Sequence, residues 1–304
     1  MLGLARIAEK GPLVAISLAI GLLLVASVLP QFIPLLDLVS LPLTILSGAV
    51  MSYVCLRFGQ QAAFQALFGG AAVLLLMSIV SHGNIWQLPL TGLMVWLPPA
   101  LAALVLKRTV SLELALLLIA GVGVIVAFIV QLNAQAILDY WQSMLDLMMA
   151  RAREQQSELF ADEEFAERLK LFSVAMLRAI GVSVMAVAVG CLFIARSWQA
   201  QLFNVGGFQK EFHALKFGRA AALVALPVIV LSMVTSFGWL DSLALVLIFL
   251  FCLQGLAVVH SLVKQRNMSN GVLVVMYAFL ILPHTMYLIG ALGLTENLYP
   301  LRKS

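Results

Sequence analysis

The chain has 304 residues, 63% hydrophobic and 11% charged, with a net charge of +4 and a mean hydropathy of +1.07. Soluble domains average roughly 45–50% apolar and about 25% charged, so there are too few polar residues here to cover a soluble fold, and lipid must take that place. The basic residues stand singly between apolar runs and form no stripe, which excludes a nucleic-acid partner and fits membrane orientation instead.

Nine apolar stretches are each long enough to cross a bilayer, at roughly 20 residues per crossing. They cover about 12–30, 33–55, 62–81, 88–106, 113–134, 174–195, 220–237, 240–262 and 271–293. Backbone groups in lipid must be satisfied within the segment, so each is expected to be helical. The fold class is therefore an all-α polytopic transmembrane bundle: spans one to five in 1–134, an outer amphipathic segment in 135–173, and spans six to nine in 174–304. Arg6 and Lys10 precede the first run, as they would in a signal peptide. No small-x-small site ends that run, and it reads as a span. Within it, Ala15 and Ala19, overlapping Ser17 and Gly21, form a small-xxx-small face suited to close helix packing. Leu29-Pro30-Gln31 joins the first two spans as a tight hairpin. Pro34, Pro42, Pro98, Pro99, Pro227 and Pro283 imply kinks or breaks.

Counting Lys and Arg in the connections sets the orientation. With the N-terminus in the cytoplasm, the inner segments hold 11: Arg6, Lys10, Arg57, Lys107, Arg108, Arg196, Lys210, Lys216, Arg219, Lys264 and Arg266. The short outer loops near 31, 85 and 238 hold none. Nine crossings place the tail, with Arg302 and Lys303, outside, together with five more basic residues in the long 135–178 segment, which weighs less in this rule.

Two connections carry a pattern of their own. In 135–178, Ile137, Trp141, Met144 and Met148 recur at helical spacing opposite Asp139, Gln142, Ser143 and Asp146, which is an amphipathic helix. A second begins after Asp162, suited to cap it, with Phe165, Leu169 and Phe172 on one face and a Glu164–Arg168 pair at i,i+4. Eight acidic and four basic residues between 139 and 170 make this hairpin an acidic, extracytoplasmic cap. The inner loop 197–219 turns at Asn204-Val205-Gly206-Gly207. Phe208 and Phe212 then share a helical face, with Lys210, Lys216 and Arg219 beside them, for contact with anionic lipid or a cytosolic partner subunit.

Enzyme and cofactor motifs are absent: there is no HExxH, Walker loop, GxSxG or Gly-rich nucleotide fingerprint. Cys55, Cys191 and Cys252 have no ligand spacing, and the histidines at 82, 213, 260 and 284 are too dispersed for a metal site. No catalytic residue, metal or cofactor is expected. Polar groups at membrane depth carry the functional signal instead, because burying them in lipid is costly. Asp37 and Glu113 stand near span ends. Arg178, Asp241, Gln254, His260, Pro283 and His284 are the candidates for a polar cavity, with Arg178 placed to pair with Asp241 or Asp37 on the outer side.

The C-terminal third resembles a known family. Leu253-Gln254-Gly255-Leu256 is followed by Lys264-Gln265-Arg266, another span, Gly290-Ala291-Leu292-Gly293-Leu294, and then Asn297 and Arg302. This order resembles the YybS-like family of bacterial membrane proteins, with its Q-G-L/I segment, basic turn, last span and acidic-then-basic tail; Glu296-Asn297 stands where an acidic residue is usual. The Phe-rich loop resembles that family's F-x-x-F-R region, with Gln209-Lys210 departing from it. The family is distantly similar to the substrate-binding components of energy-coupling-factor transporters, which bind small molecules between helices beside partner subunits. The resemblance implies transport and brings no assigned activity. Two functions are thus expected in order: a non-enzymatic transport component for a small molecule or lipid intermediate in a bacterial inner membrane, or a membrane scaffold for an envelope or cytosolic complex.

Overall fold

The computed structural model describes residues 2–28, 30, 33, 37–80, 85–154, 163–235 and 237–302. The cap Asp162, Pro34, Gln31, His82 and Lys303 lie outside these. Among the described residues the chain is entirely helical: α1 Leu2–Ala8, α2 Pro12–Val28, α3 Asp37–Phe58, α4 Gln60–Val80, α5 Gln87–Thr109, α6 Leu112–Leu132, α7 Ala134–Glu154, α8 Glu163–Phe203, α9 Gly207–His213, α10 Gly218–Val234, α11 Gly238–Gln265, α12 Gly271–Phe279 and α13 Pro283–Leu298. Six of them, α3, α4, α5, α6, α8 and α11, are long and apolar enough to cross a membrane. A seventh is added if α9 and α10, bent by 57°, are taken together; α2 is apolar but shorter.

Local chemistry explains the helix ends. Ser111 caps α6 by accepting from the Leu114 N–H at 3.2 Å, filling one of the orphan donors of a helix start. Glu113 and Asp37 stand in the first turns of α6 and α3, where the helix dipole favours a carboxylate. Gly59 alone separates α3 from α4, at φ +92°, a conformation a side chain would oppose. Pro42, Pro98, Pro99 and Pro227 sit inside continuous helices.

In the N-terminal half, buried Trp96 donates from Nε1 to Ser47 Oγ at 2.9 Å, and Ser47 donates to the Ala19 carbonyl at 2.7 Å. This relay ties α5, α3 and α2 together, and Ala15 and Ala19 are fully buried within the chain. The Ala15–Ala19 pair is thus used for internal packing, whereas the overlapping Ser17 and Gly21 are exposed. α8 joins the halves: Gly48 of α3 lets Cys191 approach, and Gly123 of α6 meets Gly181 of α8 backbone to backbone. α8 is one helix of 41 residues, about 60 Å at 1.5 Å per residue. It runs unbroken through the expected second amphipathic helix, the sixth span and the first part of the inner loop.

The expected single last span, 271–293, is overturned. Pro283 opens α13 at its first turn, with Leu282 extended before it, because proline has no N–H for the preceding turn and pushes its predecessor out of helical geometry. α13 then runs parallel to α11. Gly290 packs on the Ile248 carbonyl and Gly293 on that of Phe251, and Asn297 Nδ2 donates to Gln254 Oε1 at 3.1 Å. Rising numbers on α13 thus match rising numbers on α11. Leu273 shares a hollow with His213 and Lys264, His284 shares one with Asp241, and Arg302 Nη1 donates to the His213 carbonyl at 2.6 Å. The segment after Arg266 is therefore two short helices, α12 of 9 residues and α13 of 16, with a break at 280–282. The tail ends beside the 204–217 turn, at the same end as Glu9, Arg57 and Phe203, and not at the opposite end as nine crossings had implied.

Candidate functional site

α10 packs on α11 and α13 but makes no extended contact with α8. The gap is a cleft of about 960 Å³, at the upper end of the range for small-molecule sites. α11 lays its Asp241–Ile248 face along it, α8 contributes Phe172, Met176 and Arg178, α10 contributes Ile229 and Ser232, and α13 contributes His284 and Tyr287. Most of the lining is apolar. Its charged groups are one ion pair, Arg178 Nη1 lying 3.0 Å from Asp241 Oδ2. Asp241 is held in the first turn of α11, its N–H donating to the Phe237 carbonyl at 3.2 Å. An ion pair of this kind in water contributes about 0–1 kcal/mol, but removing one partner would leave the other charged against an apolar wall.

The structure divides the sequence candidates into groups. Arg178, Asp241 and His284 line the cleft, and Pro283 opens the helix that carries His284. Gln254 does not reach it. That side chain is fully buried, and its Oε1 accepts from the Phe217 N–H and from Asn297 Nδ2, both at 3.1 Å. Gln254 is thus a tie between α11, α13 and the start of α10. Gln254 Nε2 and Asn297 Oδ1 are buried without a hydrogen-bond partner among the described residues.

His260 lies at the other end of the bundle. Its Nε2 is 2.8 Å from the Tyr277 hydroxyl of α12, and its ring neighbours those of Phe212 and His213. The aromatic residues of the inner loop turn inward: Phe208 and Phe212 lie 5.3 and 5.6 Å from the Phe193 ring of α8, at edge-to-face geometry. Lys210 and Arg219 are exposed and Lys216 half-buried. Burial, then the nearby His260, Lys264 and Arg302, holds His213 below its ordinary pKa.

Three polar clusters at this end had no signal in the sequence. Glu9 accepts from the Tyr53 hydroxyl and from Arg57 Nε at 2.7 Å, while Arg57 stacks over Phe203. Glu211 holds Arg196 through two hydrogen bonds. Glu296, 2% exposed, pairs with Arg302 at 2.9 Å, and Arg302 also donates to the carbonyls of His213 and Leu215. Glu9 pairs with residues 44 and 48 positions away, and Arg302 reaches carbonyls 89 and 87 positions away, separations over which spacing in the sequence carries no signal.

Compared with protein-family models, curated proteins and solved structures, the chain matches none of them.

Proposed function

We propose that the chain is a multi-pass protein of a bacterial inner membrane that binds an amphipathic small molecule or lipid intermediate in the cleft between α8 and α10, as a non-enzymatic transport component. The observation that carries this is the cleft itself: about 960 Å³, mainly apolar, with the Arg178–Asp241 pair and His284 in its lining. An apolar wall with a few convergent polar groups is the usual build of a ligand site. A gap between helices facing lipid admits a ligand from the bilayer without crossing water. Transport and the bacterial inner membrane rest also on the resemblance of residues 200–302 to the YybS-like family.

The orientation is proposed on charge. The bundle end that holds Arg57, Lys107, Arg196, His213 and Arg302 also carries the other inner basic residues of the sequence, which supports that end in the cytoplasm. N-terminus and tail then both face inward, and α12 with α13 goes out and back.

The scaffold reading keeps the outer hairpin, where Tyr140, Met144, Leu147 and Met148 of α7 are exposed. It draws less from the inner loop, whose phenylalanines pack on Phe193.

The test is native mass spectrometry of the protein purified in mild detergent, comparing wild type with Ser232→Trp, which fills the cleft. A co-purifying amphipath is expected on the wild type and missing from the variant. An empty wild-type protein, or equal retention by both, removes the proposal.

A further inference from the structure

We propose that the hollow between α9, α11 and α12, at the end of the bundle opposite the cleft, binds a phosphoryl-bearing anion. The hollow has a volume of about 370 Å³, and Gln209, His213, His260, Lys264, Asn267 and Asn270 are its polar lining. A second hollow of about 360 Å³ adjoins it across His213 and Lys264 and adds Lys210. No carboxylate lines either one.

The electrostatics come from how nearby charges are already committed. Glu211 is clasped by Arg196, and Glu296 by Arg302. Lys210 and Lys264 take part in no ion pair among the described residues. The region therefore keeps two uncompensated ammonium groups surrounded by amide and imidazole groups able to donate. The free cations are lysines, compact point charges suited to phosphate. Arg196 and Arg302, which match planar carboxylates in a fork, are occupied. A hollow of about 370 Å³ is near the lower end for ligand sites, with room for a phosphoryl group on a small body and not for an acyl chain.

α12 is the element that binding would order. It has no buried residue, and His260–Tyr277 is a direct tie to α11. An anion held by Lys264 of α11 and Asn270 at the start of α12 would add a second.

The chemistry can come from a soluble phosphoryl compound or from the headgroup of an anionic lipid, and the test separates them. The full chain in neutral detergent is heated with increasing pyrophosphate, or with dihexanoyl phosphatidic acid below its micellar concentration. Sodium chloride at equal ionic strength is the control, and tryptophan fluorescence reports unfolding. Saturable protection by pyrophosphate is expected, weakened about tenfold or more in Lys264→Met and in Lys210→Met, the worth of one charged hydrogen bond. Protection by the short-chain lipid alone supports the same site with a headgroup as its ligand. No protection beyond chloride by either, or undiminished protection in both exposed-lysine variants, overturns the proposal. Neither outcome bears on the cleft, whose test uses a different variant and readout.

Discussion

Arg178 of α8 and Asp241 of α11 meet at 3.0 Å in the lining of the cleft, 63 positions apart in sequence. Neither belongs to the contact that holds α6 to α8 at Gly123 and Gly181. Arg178→Gln or Asp241→Asn alone is expected to destabilise the protein by about 1–3 kcal/mol, because each leaves an unpaired charge partly shielded from water. The double substitution should cost less than the two singles together. Urea or SDS unfolding of the four proteins measures the coupling. Additive effects would show that the two groups do not act as a pair.

The α11–α13 crossing makes a sharper stability prediction. A Cβ on Gly255 would overlap the Ile289 carbonyl, and one on Gly293 would overlap that of Phe251. Backbone atoms cannot swing aside, so Gly255→Ala and Gly293→Ala should cost about 3 kcal/mol or more, as severe overpacking does. Gly121→Ala, with nothing within 4 Å, should be neutral or stabilising by up to about 1 kcal/mol from helix propensity. The same unfolding assay ranks the three.

Glu296 is buried against Arg302, which reaches the carbonyls of His213 and Leu215. Removing the cation in Arg302→Met should cost about 3–5 kcal/mol, since it strands a buried carboxylate. Adding Glu296→Gln to it should recover part of that loss. Limited proteolysis of the tail supplies a second readout, with cleavage after the turn at 299–302 expected to rise in the single variant.

The direction of α13 predicts where the tail emerges. Tyr299→Cys and Val205→Cys, both at exposed positions, should react with an impermeant maleimide from the same side of the membrane, and Trp239→Cys from the other. Labelling intact cells against inverted vesicles decides it. If Tyr299→Cys labels together with Trp239→Cys, the last segment crosses once and the parallel packing of α11 and α13 does not exist in the membrane.

Much of this architecture is legible in the linear chain. Hydropathy locates α3, α4, α5, α6, α8 and α11, because a segment in lipid must satisfy its own backbone and show apolar side chains to its surroundings. The same logic offers Arg178 two partners near one membrane face, Asp241 and Asp37, and the structure pairs it with Asp241. The reversal at 280–282 shows only faintly: the strongly apolar run 271–282 gives way to Pro283-His284-Thr285, which marks a break but not a change of direction. The separation of Gln254 and His260 from the cleft was also invisible. A polar residue at membrane depth signals a partner without saying which, and Gln254 found its partners in Phe217 and Asn297.

By itself, then, the sequence determined that this is a helical membrane chain, and it located most of the apolar helices and three of the groups that meet in the cleft. Those properties depend on transfer from water to lipid, which is a sum over residues. The tertiary structure alone decided that α13 turns back beside α11, that the tail joins the end carrying Arg57 and Arg196, and that Lys210 and Lys264 have no carboxylate partner among the described residues. These depend on which surfaces fit: Gly255, Gly290 and Gly293 admit a backbone at contact distance only when the other helix lies in one register and one direction.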